Sequence, residues 1–328
     1  MQRTGRSTLN VSLPKKWANS NGISNGSLIF ITQNQNGDLL LSGERSERNL
    51  LIKIDIKSKR GDPLFRDIIA CYLAGYRTIE IYSHNLNATQ KRDIHYIINK
   101  LIGPEILEET LNKVIIHDLL SSEELKLDHA LKRIKNMTRS MINDAISSLI
   151  NKNKELAIDV IQRDNDVDRL NLLVYRQFSE ILNSRSIEQE INPVIAFNYM
   201  QAATNLERIA DHASRIAEIA SEIENELSTE IAERLSKFGS IFPNLMDESV
   251  SILLNPDNDK ANQMIEKTKE MKKQLSSITG SFSDKCEDKT LIRLAVAGSI
   301  ERILDHIINI SELAINLYNA TLKIEHVE

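Results

Sequence analysis

Apolar and polar positions change rhythm twice along the 328 residues of the chain. The opening stretch, Thr8-Leu-Asn-Val-Ser-Leu13, alternates with period two, the spacing of a strand whose successive side chains face opposite ways. Pro14 then opens a short helical stretch over Lys15–Asn19, a position where its missing N–H would be unpaired anyway. Gly22 and Gly26 punctuate turns around Ile23. Leu28–Thr32 and Leu39–Leu41 read as two more strands across a Gly37-Asp38 turn. A unit of about 45 residues buries little core alone, so dimerisation is the expected remedy.

From residue 46 to about 122 the rhythm becomes mixed. Leu50–Ile56 alternates apolar with charged residues and predicts a strand. Pro63–Leu73 has helical spacing and ends at Gly75; Thr78–Tyr82 is a short strand. Asn87 starts a helix that runs to Leu101 and stops at Gly103-Pro104, and Val114–Asp118 is a last strand. Strands alternating with helices predict a small α/β domain. No phosphate-cradling glycine motif lies in it, and His84, His95 and His117 are scattered.

Beyond residue 123 the period is helical throughout. Leu127, Leu131, Ile134, Met141, Ile142, Ala145, Leu149 and Ile150 fall on one face of a helix over Glu123–Asn151. Ile158, Ile161, Val167, Leu170, Val174, Phe178 and Ile181 continue the pattern over Leu156–Leu182, and Pro193 opens a third helix to about Leu227. Three helices joined by short polar breaks predict an antiparallel bundle.

The same unit then recurs. Residues 205–220 read NLERIADHASRIAEIA and residues 299–314 read SIERILDHIINISELA, sharing Glu, Arg, Ile, Asp, His, Ile, Glu and Ala at equivalent positions. A weaker match joins Asp144–Ala157 to Glu248–Ala261. The region is two copies of one three-helix unit, over 123–228 and 229–328.

Composition narrows the class. Charged residues at 27% and apolar residues at 41% describe a globular chain, and 5% aromatics with 11 Gly and 6 Pro favour helices over an all-β fold. No apolar run approaches the roughly 20 residues that cross a bilayer, and MQRTGRSTLN lacks the apolar core of a secretory signal. Cys71 and Cys286 stand far apart, which excludes a disulfide framework and a thiolate zinc site and makes the cytoplasm the expected compartment. The net charge of −5 conceals a split. Ten basic and four acidic residues give residues 1–60 a charge of +6, leaving −11 on the rest. A basic head on an acidic body suits a DNA-binding module joined to a regulatory one; a local excess arising by chance is the alternative.

The repeated motif holds carboxylates. Glu207 and Asp211 are four residues apart and share a helix face, as do Glu301 and Asp305 in the second copy and Asp164 and Asp168 on the companion helix of the first. Facing pairs on neighbouring helices would repel, at about 3–4 kcal/mol per like-charge contact for an effective dielectric near 20. A cation would turn that repulsion into a binding site, and oxygen donors suit Mg²⁺, Mn²⁺ or Fe. The alternative is a solvated acidic face partnered by Arg208 and Arg302.

Two resemblances sharpen this reading. The string STLNVSLPKKWANSNGISNGSLIFI resembles AbrB/SpoVT-type swapped-hairpin domains at Leu13, Pro14, Lys15, Trp17, Gly22, Ile23 and Gly26, departing at Ser27, where that family often has Asp. The resemblance implies an intertwined homodimer that contacts DNA, with Arg3, Arg6, Lys15 and Lys16 as the contact residues. ERIADHASRIAE, with RDNDVDRL at 163–170, resembles the PhoU family. That resemblance implies tandem three-helix bundles that bind metal (Fe, Mn, Mg or Zn) on their acids and regulate phosphate uptake at a membrane transporter. Carried over, the ligands are Asp164, Asp168, Glu207 and Asp211, with Glu301 and Asp305 in the second copy. The second copy departs from the pattern: Thr268 and Lys272 stand where the first has Asp164 and Asp168, and lysine there could ion-pair instead. His212 and His306 follow the acids directly and are expected to pack or hydrogen-bond between helices.

The expected architecture is mainly α with a β-rich N-terminal part. It comprises a swapped-hairpin head (1–45), a small α/β domain (46–122) and two antiparallel bundles, a fusion that resembles archaeal regulators. The expected function is a phosphate-responsive, DNA-binding regulator with metal-binding bundles, whose partners are DNA and a transporter ATPase or signalling protein. The alternatives are an adaptor that binds no DNA and a metal-binding transcription factor unrelated to phosphate. No catalytic motif stands out: no histidine has Glu three positions before it, and neither HExxH nor GxSxG occurs, so no enzymatic activity is expected.

Overall fold

The computed structural model describes residues 2–4, 8–33, 37–42, 51–120, 126–183, 192–223, 227, 229–279 and 287–325. These form two compact units, a head up to Ser42 and a body from Leu51 onward.

In the head, β1 (Gln2–Thr4) pairs antiparallel with β2 (Thr8–Asn10), placing Arg3 opposite Leu9. Helix α1 (Lys15–Ser20) starts directly after Pro14, as the sequence predicts. Gly22 and Gly26 both adopt positive φ, 66° and 89°, in the turns that follow, where a Cβ would be strained. β3 (Phe30–Gln33) and β4 (Leu39–Ser42) form a second antiparallel pair. The predicted strand over Leu28–Thr32 is shifted towards the turn, leaving Leu28 80% exposed. Val11, Ile31 and Leu39 are also exposed, and none of the head's described side chains is buried.

The body begins with a two-layer α/β domain. β5 (Leu51–Asp55) crosses over through α2 (Asp62–Leu73) to pair in parallel with β6 (Thr78–Tyr82). After α3 (Ala88–Asn99) come β7 (Pro104–Glu109) and β8 (Lys113–Asp118), giving the strand order β5-β6-β8-β7 with β8 antiparallel to both neighbours. Leu64, Ile68 and Tyr72 of α2 and Ile94, Ile97 and Ile98 of α3 cover one sheet face, burying Ile79, Ile81, Val114 and Ile116. Asn87 caps α3 reciprocally with Gln90, and Gln90 also binds the Lys57 and Lys59 carbonyls, holding the first crossover loop. β7 was not evident in the sequence. It is a bulged edge strand, so PEILEE needs no alternation, and Pro104 opens it where a missing donor is tolerated.

Six long helices follow. α4 (Leu127–Asn151), α5 (Lys154–Asn183) and α6 (Pro193–Glu222) make the first bundle; α7 (Thr229–Leu254), α8 (Asn258–Thr279) and α9 (Glu287–Glu325) make the second. The predicted apolar face of α4 is buried from Leu127 to Leu149. On α5 the prediction errs at Ile158, which is 49% exposed. α6 ends at Glu222, earlier than the apolar pattern suggested. The bundles lie side by side, α6 on α9 and α4 on α7, over one continuous apolar core. Gly239 of α7 allows that approach, since a Cβ there would lie 3.0 Å from Ile146 Cγ2 of α4.

The α/β domain is fastened to the first bundle by a buried arginine. Arg176 of α5, 2% exposed, sits 2.6 Å from Asp118 Oδ2, stacks over the Tyr72 ring and donates to the Tyr72 and Tyr76 carbonyls at 2.8 and 3.1 Å. Gly103, at φ +101°, leaves room for Asp118, because a Cβ would fall 2.3 Å from Asp118 Oδ1.

Removing one partner of a buried ion pair strands the other. Arg176→Met is therefore expected to lower stability by about 3–5 kcal/mol, and Lys132→Ala at the exposed Lys132–Asp128 pair by under about 1 kcal/mol. Urea denaturation of both variants beside wild type measures the difference.

Candidate metal centre

Helix α6 presents alanines at 203, 210, 213, 217 and 220 to its neighbours, all buried. Small side chains let the packed helices approach closely. On the rim of the α5–α6 contact this brings together the four acids singled out in the first copy. One oxygen from each of Asp168, Glu207 and Asp211 lies within 4.8 Å of the others, the one such group of donors among the described residues. Asp164 stands one turn before Asp168 on α5 and receives a hydrogen bond from Ser214.

The core beneath withdraws water from these carboxyls. Burial, followed by the charge of Asp211, pushes Glu207 up to about 7, with Arg208 opposing. Burial, then Asp168, Asp211 and Glu218, push Asp164 up to about 6. Asp168 reaches solvent on one side, yet the protein against its other side raises it too; Lys100 and Arg208 pull it back. Arg208 is paired with Asp211 at 2.8 Å and lies 3.3 Å from Glu207 Oε2. Even so, Glu207 Oε2 and Asp164 Oδ1 are buried without hydrogen-bond partners. Unsatisfied anionic oxygens in a desolvated site are costly. An all-oxygen donor set with spare lone pairs fits a hard cation such as Mg²⁺ or Mn²⁺, or iron.

The second copy meets the same problem differently. Lys272 of α8 places its ammonium 3.2 Å from Glu301 Oε1 and 2.6 Å from Asp305 Oδ1, and Arg302 lies 3.6 Å from Asp305. The bond to Asp305 holds the Lys272 ammonium above its ordinary value. Thr268, at the position of Asp164, is buried and donates to the Met264 carbonyl at 2.8 Å. Here a side-chain cation occupies the space between the acids.

The two histidines meet between the bundles. The His212 and His306 rings lie 6.1 Å apart across α6 and α9, and His306 Nδ1 is 2.9 Å from Asn205 Oδ1. Burial, then Arg215 and His306, push His212 down to about 4, and burial lowers His306. In the head, Lys15 and Lys16 form the exposed first turn of α1. Arg3 lies on β1, while Arg6 falls outside the described residues. Ser214, Glu218 and Lys100 were missed as neighbours of the acids. Ser214 and Glu218 lie within the repeated motif, one turn apart on the face of α6 that begins with Asp211, but Lys100 gives no sequence signal.

Comparison with known proteins agrees with this architecture. The family model described as "PhoU domain" matches residues 131–220 and 235–314, and that of "Antidote-toxin recognition MazE, bacterial antitoxin" matches residues 2–49. The "Phosphate-specific transport system accessory protein PhoU homolog" of Zymomonas mobilis is 27% identical over 184 residues, covering 54% of this chain and 77% of that protein. Homolog 1 of the same description from Thermotoga maritima is 26% identical over 198 residues, covering 58% and 80%. The crystal structure of PhoU from Pseudomonas aeruginosa superposes with a TM-score of 0.52 at 23% identity, over 59% of this chain and 96% of that one. The phosphate transport system regulatory protein PhoU from Streptococcus pneumoniae gives 0.50 at 19%, over 59% and 94%. These structures share the helical fold.

The raised carboxyl of Glu207 has a signed consequence for stability. An acid held up in the folded state favours folding below its unfolded value and loses that contribution as pH rises through the folded one. For Glu207 the window runs from 4.5 to about 7. His212, held down to about 4, acts oppositely and cancels when two variants are compared. In metal-free buffer Glu207→Gln is expected to gain on wild type by roughly 2–3 kcal/mol between about pH 5 and pH 8, from the 1.36 kcal/mol carried by each pH unit. Denaturation at a series of pH values reads the difference directly.

Proposed function

The chain belongs to the PhoU family, and from that premise we propose that it is a cytoplasmic, phosphate-responsive regulator whose head binds DNA and whose first bundle holds a metal ion. The observation that carries the metal half is the cluster of Asp168, Glu207 and Asp211 with orphaned oxygens on Glu207 and on neighbouring Asp164. When bound there, a divalent or trivalent cation supplies the positive charge that offsets carboxylate repulsion. Asp164 and Asp168 hold it from α5, Glu207 and Asp211 from α6, so the site ties two helices together. Glu301 and Asp305 are read as metal-independent, because Lys272 already pairs with both. No catalytic step is assigned to any of these groups.

The head supports the other half of the reading. Its exposed Val11, Leu28, Ile31 and Leu39 have the character of a surface covered by a second copy of the chain. Lys15 and Lys16, with Arg3 and Arg6, supply charges that suit a phosphate backbone. Regulation of phosphate transport is inferred from the relatives, described as accessory proteins of a phosphate-specific transport system. Those descriptions also favour a second reading, in which the head only dimerises the chain and the bundles act on a transporter ATPase or signalling protein.

Two experiments test the proposal. Purified protein mixed with fragmented genomic DNA at near-physiological salt is expected to retain promoters of phosphate-transport genes. Combined reversal of Arg3, Arg6, Lys15 and Lys16 to Glu should abolish that retention, with a loss of about 0.9 in log–log salt slope per phosphate contact removed. Retention of no fragment above input would favour the adaptor reading. Metal analysis supplies the second test. Asp211→Ala should lose bound metal, and Thr268→Asp with Lys272→Asp should recreate the donor set in the second bundle and add one equivalent per chain.

A further inference from the structure

The α/β domain sends one cation to the carboxylate cluster. α3 ends at Lys100, whose backbone N–H bonds the Ile97 carbonyl. Its side chain crosses to α5 and donates through Nζ to Asn165 Oδ1, lying 5.7 Å from the centre of the Tyr96 ring. Asn165 follows Asp164 directly and precedes Asp168 by three residues, less than one helical turn. The next residue, Leu101, is buried and its carbonyl accepts from Arg169 Nη2 at 3.2 Å. The end of α3 is therefore anchored on α5 at two points, one on each side of Asp168 in sequence. Arg208 and Lys100 are the cations that act on the Asp168 carboxyl. Arg208 belongs to α6 and to the repeated motif. Lys100 comes from the segment between the two family matches, which leave residues 50–130 uncovered.

We propose that Lys100 tunes the metal affinity of the cluster, so that the α/β domain and the first bundle's cation site are energetically linked. The proposal rests on the metal reading above. A cation at Asp168, Glu207 and Asp211 repels the Lys100 ammonium, while the ammonium lowers the cluster's affinity for that cation. Linkage makes the two effects equal in size and sign. Binding of metal should loosen the end of α3, and any event that withdraws Lys100 should tighten the site. This gives the α/β domain a role in setting when the bundle is loaded.

The test uses the full chain and Mn²⁺ alone, titrated calorimetrically into wild type, Lys100→Met, Lys100→Arg and Asn165→Leu. Lys100→Met removes the charge from a partly exposed side chain and should tighten Mn²⁺ binding about five- to tenfold, the size expected when one nearby charge acts on a divalent ion through mostly aqueous surroundings. Lys100→Arg should keep wild-type affinity, and Asn165→Leu, which frees the ammonium from its anchor, should fall between. Hydrogen exchange should show faster amide exchange at residues 96–101 of wild type when Mn²⁺ is saturating. Equal affinity in wild type and Lys100→Met would overturn the linkage and leave the metal site standing. Absence of Mn²⁺ binding in every sample would overturn the metal reading and the linkage with it.

Discussion

The close approach of α6 to its neighbours is the constraint on which the body depends. α6 packs against α4 and α5 in its own bundle and against α9 in the other, so it belongs to both halves of the core. Its buried alanines bring the backbones near each other and sink the acids of the α5–α6 rim to the edge of the apolar interior. Repulsion and desolvation then act together, and Asp164 and Glu207 hold their protons well above the ordinary carboxylate range. A helix with larger side chains on that face would stand further off and leave the same acids in water.

The duplicated bundles face one electrostatic problem with two outcomes. In the first, the acids from α5 and α6 lack enough partners, and buried oxygens remain unsatisfied. In the second, one substitution of character, a lysine at the place of Asp168, lays an ammonium across Glu301 and Asp305. An internal cation cannot dissociate, so this charge balance at the α8–α9 contact is built into the chain. The repeated pattern Glu-x-x-x-Asp thus sits among unpaired carboxylate oxygens in one copy and in a side-chain ion pair in the other. At the seam between copies, burial holds His212 and His306 below the ordinary histidine value, and their rings lie 6.1 Å apart.

The α/β domain is no loose appendage within the body. Arg176 is buried with its charge paired by Asp118 and Glu180 and its Nη1 donating to two backbone carbonyls. A buried arginine of this kind fixes one geometry, because any displacement strands charges in a low-dielectric setting. With the domain fastened there, the Lys100–Asn165 and Leu101–Arg169 bonds hold the end of α3 on α5, where the Lys100 charge acts on Asp168.

Much of this was legible in the sequence, for a physical reason: local periodicity and short-range steric rules act within a few residues. The period-two stretch before Pro14, the glycines at positive φ, the helix faces from Leu127 to Leu149 and the internal repeat all follow from such rules. The pairing of Glu207 with Asp211 on one face was likewise set by the helical period, and the lysine at 272 in place of an acid was legible from the internal repeat. The tertiary structure alone decided what those rules do not reach. Edge strand β7 escaped because an exposed, bulged strand needs no alternation, and Ile158 was misplaced because periodicity cannot say which apolar residue lies off the contact. Which acids lose their water depends on helices far apart in sequence coming together. The arrival of Lys100 at Asn165 brings together residues 65 apart in sequence. Charge acts through space, and only the fold determines which charges are near.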